Sequence, residues 1–362
     1  MAPIMNPLSQ KGKPPHARAE GPIRGKIDEL VKKNGERGIS FAKFMEIALY
    51  DPDHGYYSRP RPIGKSGDFF TSVSVGRCFG MLLARWIREC QQLLNSPPDF
   101  AVIEQGAHDG RLAADILAEL PESVGYRILE PTEKLRVAQK ERLGDRVEFR
   151  GNAETGVFIC NELVDAFPVH RVRFENGAWR ELRVVLESDD LVERPFECPP
   201  ELAEFLPETA LENHTTEVCP AAAAWIDGLP KFLKHGYFAI IDYGLEGEDF
   251  LSPERADGTL RCYRSHVATD DPFDAIGETD ITTQVNFTQL QIAAAAAGLE
   301  TVEFTDQSRF LTRIAESWLR ELDGKPPNAE QAALLRQFQT LTHPGLMGRA
   351  FKVLVLRTRQ IG

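Results

Sequence analysis

Residues 101–112 read AVIEQGAHDGRL. Four largely apolar positions end at Glu104, glycines follow at 106 and 110, and Leu112, Ile116, Leu117 and Leu120 then recur at helical spacing. A buried strand, a tight turn and an amphipathic helix are the reading that pattern supports. The same alternation continues: a strand over 126–130, a helix over 132–142, a strand over 147–150, GVFICNE at 156–162 and YFAIIDYG at 237–244. Apolar strands interleaved with helices predict an α/β fold built on a parallel sheet covered on both faces, with right-handed crossovers. The period-2 stretch VHRVRFENGAWRELRVVL, with Asn176-Gly177 at its centre, predicts a hairpin. Together with the less regular residues up to 220, it reads as an antiparallel insertion belonging to a second lobe. Helical stripes follow at 310–322 and 331–341, and AFKVLVLR closes the chain as a strand.

Upstream, two amphipathic helices, marked by Phe41 to Leu49 and by Phe79 to Cys90, bracket a loop rich in Gly, Pro and Asp that also carries Tyr56, Tyr57, Phe69 and Phe70. Loops of that length and content are common binding elements. The first 26 residues are basic and proline-interrupted, which argues for a disordered leader rather than the amphipathic helix of a mitochondrial presequence. The expected division is a leader over 1–26, a helical segment with a substrate-side loop over 27–100, a core over 101–250 with the insertion at about 169–220, and C-terminal helices with a closing strand over 251–362.

Composition narrows the function classes. At 362 residues the chain exceeds the usual size of a single hydrophobic core. Its net charge of -12 argues against a generic nucleic-acid binder, since phosphate contacts need a basic face. The six cysteines show no CxxC pair and no clustering with histidine, so neither a metal site nor a disulfide framework is expected. The alanine-rich runs are too short to span a bilayer.

In an open parallel sheet the ligand sits beyond the carboxyl ends of the strands, and the first strand-to-helix turn is its usual seat. A dinucleotide would want glycines at 106, 108 and 111, whereas positions 108 and 111 hold His and Arg. S-adenosylmethionine fits better: it needs glycine beside its methionyl part, nearby acids, and a carboxylate at the end of the second strand for two ribose hydroxyls. Gly106, Glu104 and Glu130 meet that pattern. The competing reading of Glu130 is a helix cap.

Six stretches in chain order, GDFFTS (67–72), the glycine turn, NELVDAFPV (161–169), IIDYG (240–244), TLRCYRSH (259–266) and HPGLMGRAFKVL (343–354), resemble the MidA/NDUFAF7 (DUF185) family. The resemblance runs from about Gly38 to the C-terminus. It implies a Rossmann-like class I methyltransferase sheet with an antiparallel and helical second lobe, S-adenosyl-L-methionine as cofactor, and, for mitochondrial members, methylation of an arginine on a respiratory-complex subunit. A protein substrate bearing an arginine is the implied partner, and a homodimer is compatible with the family. The expected location is the bacterial cytoplasm, or the mitochondrial matrix if the chain is eukaryotic.

Carried onto this chain, the resemblance assigns the cofactor to Glu104, Gly106, Asp109, Gly110, Glu130 and Asn161, with Asp68, Thr71 and Ser72 from the loop. Asp109 is the candidate for the methionyl ammonium. Glu162 is expected to orient the acceptor and Asp165 to be the second catalytic carboxylate. Tyr56, Tyr57, Arg261, Tyr263 and His266 are candidates for an acceptor groove, and Asp242 and Tyr243 are expected on the ligand side of their strand. The family usually reads ELGPGRGTL where this chain reads EQGAHDGRL, so His108 replaces the middle glycine; it shifts the cofactor, contacts it, or points to solvent. Besides a protein arginine methyltransferase, the residues leave two other readings: an assembly or interaction protein that keeps the fold with little turnover, and a small-molecule methyltransferase.

Overall fold

The computed structural model describes residues 21–58, 71–208, 210–264, 267–269, 271–324 and 326–359. Its central sheet contains β1 (Ala101–Gln105), β2 (Gly125–Leu129), β3 (Ala153–Asn161), β4 (Leu233–Leu245), β5 (Leu299–Asp306) and β6 (Phe351–Thr358) in the spatial order β5-β6-β4-β3-β1-β2. Strands β1 to β4 pair in parallel, while β6 runs antiparallel to both β4 and β5. Side-chain alternation divides the sheet between two cores. Val102, Tyr126, Val157, Ile159, Ala239 and Val353 pack on one face, against helices Cys78–Leu93, Arg111–Leu117, Gln307–Leu322 and Ala329–Thr342. Ile103, Phe158, Cys160, Phe238, Ile240 and Leu354 pack on the other, against Pro220–Gly228 and Phe287–Ala296. Two-sided burial is why these strands read as continuous apolar runs.

The second lobe is the expected antiparallel insertion, joined by the N-terminus. Strands His170–Glu175, Ala178–Glu187, Asp190–Glu197 and Thr215–Val218 form a sheet whose edge is extended by Ile39–Ser40. Helices Pro22–Lys33 and Phe41–Tyr50 pack on it through Ile27, Phe41, Phe44, Val184 and Leu191. The hairpin turns on Asn176 (φ +53) and Gly177 (φ +76), as their sequence predicts. Ser188 and Asp189, at φ +49 and +71, make a second two-residue turn that lacks the glycine signal.

Several boundaries differ from the sequence reading. A helix begins at Pro22, inside the stretch read as a disordered leader, because Ile23, Ile27 and Val31 form a buried stripe that the second lobe covers. The strand expected at 147–150 contracts to a single bridge, Glu148 beside Arg127, at the open edge of β2. The edge strand β5 and a small sheet of Arg261–Arg264, Val267–Thr269 and Asp280–Thr282 have no counterpart in that reading.

From β1 the chain winds outward to β2 and then returns to lay β3 on the other side of β1. That reversal is the topological switch, and it opens a crevice between the ends of β1 and β3.

Candidate functional site

A cleft open to solvent fills that crevice. Its floor is the turn after β1. Gly106 and Gly110 both sit at φ +79, and His108 between them at φ +45, so every second residue of the turn is left-handed. Glycine adopts that conformation freely and histidine at a cost, which explains why glycine is the ordinary choice at all three. The imidazole of His108 lines the cleft instead of leaving it, with its side chain 26% exposed. Burial holds it below its ordinary pKa, and Nδ1 has no hydrogen-bond partner among the described residues.

Glu104 is buried beneath the turn, where the Tyr126 hydroxyl donates to Oε2 at 2.6 Å. Burial pushes this carboxyl up to about 7. Asp109 lines the cleft, but its carboxylate is committed to Arg111 Nε (3.0 Å) and Arg142 (3.2 Å). A contact between Asp109 and the methionyl ammonium would be shared with these two guanidinium groups.

Glu130 caps the helix after β2, Oε1 accepting the Thr132 amide at 2.8 Å, and it does not line the cleft. Both readings of this residue meet in Gln139, whose Nε2 donates to the His108 carbonyl at 2.8 Å and reaches Glu130 Oε2 at 3.4 Å. The side chain therefore sits against the back of the glycine turn.

The opposite wall is the turn after β3. Glu162 has φ +51, a strained value for a non-glycine residue, and its amide is fixed to the Ile241 carbonyl at 2.9 Å. Oε1 of Glu162 accepts Asn161 Nδ2 (2.8 Å) and the Ser72 amide (3.2 Å). Asn161 Oδ1 and Asp165 Oδ1 are buried without a partner among the described residues. The Tyr243 hydroxyl donates to the other Asp165 oxygen. Behind them Asp242, wholly buried, accepts the amides of Leu163, Val164 and Asp165 on Oδ2 at 3.1, 2.9 and 3.3 Å, and that of Tyr243 on Oδ1 at 2.9 Å. This one side chain holds the turn after β3 in shape.

Three carboxyls packed so closely cannot all be charged. Burial and the Asp165 charge push Glu162 up to about 8, and burial pushes Asp165 up to about 6. Burial and the same neighbours act on Asp242 in the same direction. Its bonding decides otherwise: both its oxygens accept only N–H donors, so a proton there would face no acceptor. Burial and the Asp165 charge therefore favour the protonated form of Glu162 within the cluster.

Of the other expected residues, Thr71, Tyr56, Tyr57 and Tyr243 line the cleft. Ser72 does not; buried, it donates its amide to Glu162 and its hydroxyl to Gln307 Oε1 at 3.0 Å, so it braces the carboxylate rather than a cofactor. Arg261 and Tyr263 lie in the small sheet and do not line the cleft. Asp68 and His266 fall outside the described residues. Asp280 is a cleft residue the sequence reading lacks; it sits on a strand whose partner, Tyr263, lies 17 positions earlier, and only that pairing brings it in. Among the described residues no group of three or more His, Cys, Asp or Glu side chains is placed to hold a metal ion, and no helix is long and apolar enough to cross a membrane.

Comparison with known proteins agrees with this architecture. Residues 82–305 match the family described as "Putative S-adenosyl-L-methionine-dependent methyltransferase". The mouse mitochondrial protein arginine methyltransferase NDUFAF7 is 27% identical over 97% of this chain and 88% of its own length. The human protein of the same name is 27% identical over 94% and 85%. A Burkholderia thailandensis protein crystallised with S-adenosyl-homocysteine superposes with a TM-score of 0.82 at 30% identity, covering 94% of this chain and 92% of that one.

Proposed function

Because the chain belongs to the S-adenosyl-L-methionine-dependent methyltransferase family, we propose that its cleft methylates an arginine side chain of a protein. The observation that carries this reading is the pair Glu162 and Asp165 at the mouth of the β3 turn, with Asp165 Oδ1 unpartnered and tyrosines on the adjoining wall. Mouse and human relatives named as arginine methyltransferases support it at 27% identity.

The residues present fit the cofactor. Gly106 lines the cleft on the alternating left-handed turn, and the unpartnered atoms of His108 and Asn161 are buried polar groups that a ligand would satisfy. We assign the turn Gly106–Gly110, Glu104 and Asn161 to holding it, with Thr71 on the loop side and Glu130 at the back of the turn. When bound, S-adenosyl-L-methionine supplies an electrophilic methyl group on a cationic sulfur.

The chain's own residues then have three tasks. Glu162, whose Oε1 is fixed by Asn161 and Ser72, gives up its proton as the cationic acceptor arrives and turns its second oxygen, then an acceptor only, to the N–H donors of the guanidinium. Asp165 uses its unpartnered Oδ1 to take the proton that the attacking nitrogen sheds as its bond to the methyl carbon forms and the carbon–sulfur bond breaks. Arginine needs this help because its guanidinium stays protonated in water. Tyr243 and Asp242 keep both acids in register.

The test is incubation of the protein with methyl-tritiated S-adenosyl-L-methionine and a cell lysate, followed by hydrolysis of the labelled protein. Methylarginine is expected, and Asp165→Asn should lower its yield about 10²-fold or more. Label confined to small molecules, or to other amino acids, would overturn the reading.

A further inference from the structure

The turn after β3 is braced from outside the sheet by the C-terminal helices. Ser72 and Gln307 are both fully buried, 235 positions apart, and the Ser72 hydroxyl donates to Gln307 Oε1 at 3.0 Å. Gln307 opens the helix Gln307–Leu322, and its Nε2 donates at 3.0 Å to the Leu341 carbonyl in the last turn of Ala329–Thr342. Carbonyls there have no partner within their own helix. The direction of every bond in this series follows from that end. A carbonyl only accepts, so the Gln307 nitrogen faces Leu341, its oxygen faces Ser72, and the one proton of the Ser72 hydroxyl is spent on it. Ser72 then meets Glu162 through its amide, which donates to Oε1 at 3.2 Å.

Glu162 Oε1 also accepts Asn161 Nδ2 at 2.8 Å, so two N–H donors converge on one oxygen. A proton on this carboxyl therefore belongs to the other oxygen, the one offered to the acceptor. Asn161 precedes Glu162 in the chain and arrives with its strand. The Ser72 amide arrives from a separate segment, and its place depends on what anchors that segment. Thr71 and Ser74 fold it locally, the Thr71 amide donating to Ser74 Oγ at 2.9 Å and the Ser74 amide to Thr71 Oγ1 at 3.1 Å. Gln337, on the same helix as Leu341, accepts the Cys78 amide at 3.0 Å. These bonds shape the segment, and the bond from Gln307 sets where Ser72 stands relative to Glu162. A buried hydroxyl and amide gain the fold little over apolar packing, because desolvation of both offsets their bond; what the pair supplies is direction.

We propose that Gln307 is a positioning residue for methyl transfer: through Ser72 it places the amide that holds Glu162 Oε1, and so leaves the second Glu162 oxygen facing the acceptor. The proposal rests on the reading of Glu162 as the acid that faces the acceptor, whatever that acceptor is. An N–H donor favours the carboxylate over the acid, so displacing the Ser72 amide raises the pH at which Glu162 ionises.

Gln307→Met keeps the length of the side chain and removes both of its bonds, whereas Ser72→Ala keeps the amide and removes only the hydroxyl. The full chain, isotope-labelled at the glutamate carboxyl carbons, is titrated by NMR, and the Glu162 signal is identified by its loss in Glu162→Gln. Each variant is expected to move the Glu162 midpoint up by about half a pH unit, a factor of about three in its proton equilibrium. Transfer of label from methyl-tritiated S-adenosyl-L-methionine to lysate protein should slow about tenfold. Affinity for S-adenosyl-homocysteine should stay within about twofold of wild type. In the double variant the midpoint should move no further than in either single one, since both remove the same bond. A role confined to packing would lower the melting temperature and leave the midpoint in place; that result overturns the proposal, as does a double variant whose shift is the sum of the two. Ser72→Ala alone decides the matter if Gln307→Met does not fold. The titration uses no acceptor, so an unmoved midpoint leaves the arginine reading standing, and label found on other amino acids overturns that reading without touching the role of Gln307.

Discussion

Replacing Glu162 by glutamine separates what the acid contributes to chemistry from what it costs the fold. Glutamine keeps an Oε1 to accept the Ser72 amide and Asn161 Nδ2, so the local bonds survive. The charge does not. A carboxyl whose ordinary pKa is 4.5 titrates at about 8 in the folded chain, because burial and Asp165 disfavour its anion. The folded state therefore binds the proton more tightly than the unfolded one. Wild-type stability at this position is intact below pH 4.5, falls as pH rises through the interval, and levels off above 8. At about 1.4 kcal/mol for each pH unit, a charge confined to Glu162 would cost about 4 kcal/mol at pH 8. In a chain of this size that is a few degrees of melting temperature.

Glu162→Gln should melt together with wild type at pH 5 and about 2–5 °C above it at pH 8.5, while methyl transfer falls about 10²-fold. Thermal unfolding across pH 5–9, followed by far-UV circular dichroism, reads the difference. A variant that melts lower than wild type, or whose offset does not change with pH, refutes the assignment of the proton to Glu162.

Two further outcomes follow from the same geometry. His108→Gly removes a left-handed non-glycine residue and an unpartnered buried Nδ1, and should raise stability by about 1 kcal/mol in urea unfolding after the extra chain entropy of glycine is subtracted; a loss of stability would mean that the imidazole makes a favourable contact there. Asp242→Asn can keep three amides on its oxygen but turns an NH₂ toward the Tyr243 amide, so it should cost about 2–4 kcal/mol and speed hydrogen exchange at Leu163, Val164 and Asp165; unchanged exchange at these amides would sever Asp242 from the turn after β3.

The inner strands β1, β3 and β4 were legible because each is buried on both faces and the glycine turn after β1 is local: AVIEQG, GVFICN and YFAIIDYG carry their own evidence. Asn176-Gly177 announced its hairpin for the same reason, whereas Ser188-Asp189, bent the same way, did not, since its backbone is imposed by the strands it joins. The first turn of the helix at Pro22–Lys33 looked like leader because its apolar stripe means little until the second lobe covers it.

In the site, Glu162, Asp165, Gly106 and Asn161 were within reach of the sequence, being the ends of recognisable strands. Their division of labour was not. That Asp109 is spent on Arg111 and Arg142, that Ser72 braces Glu162, and that Glu130 turns back to cap its helix depend on which side chains arrive from elsewhere in the chain. Asp280 is the extreme case: a strand pairing and a hydroxyl 223 positions away bring it to the cleft. Periodicity and turn chemistry act over a few residues and so are written in the chain. Burial, charge sharing and the partner of each polar atom are set by contacts across it, and these determine which acid holds a proton and which holds a ligand.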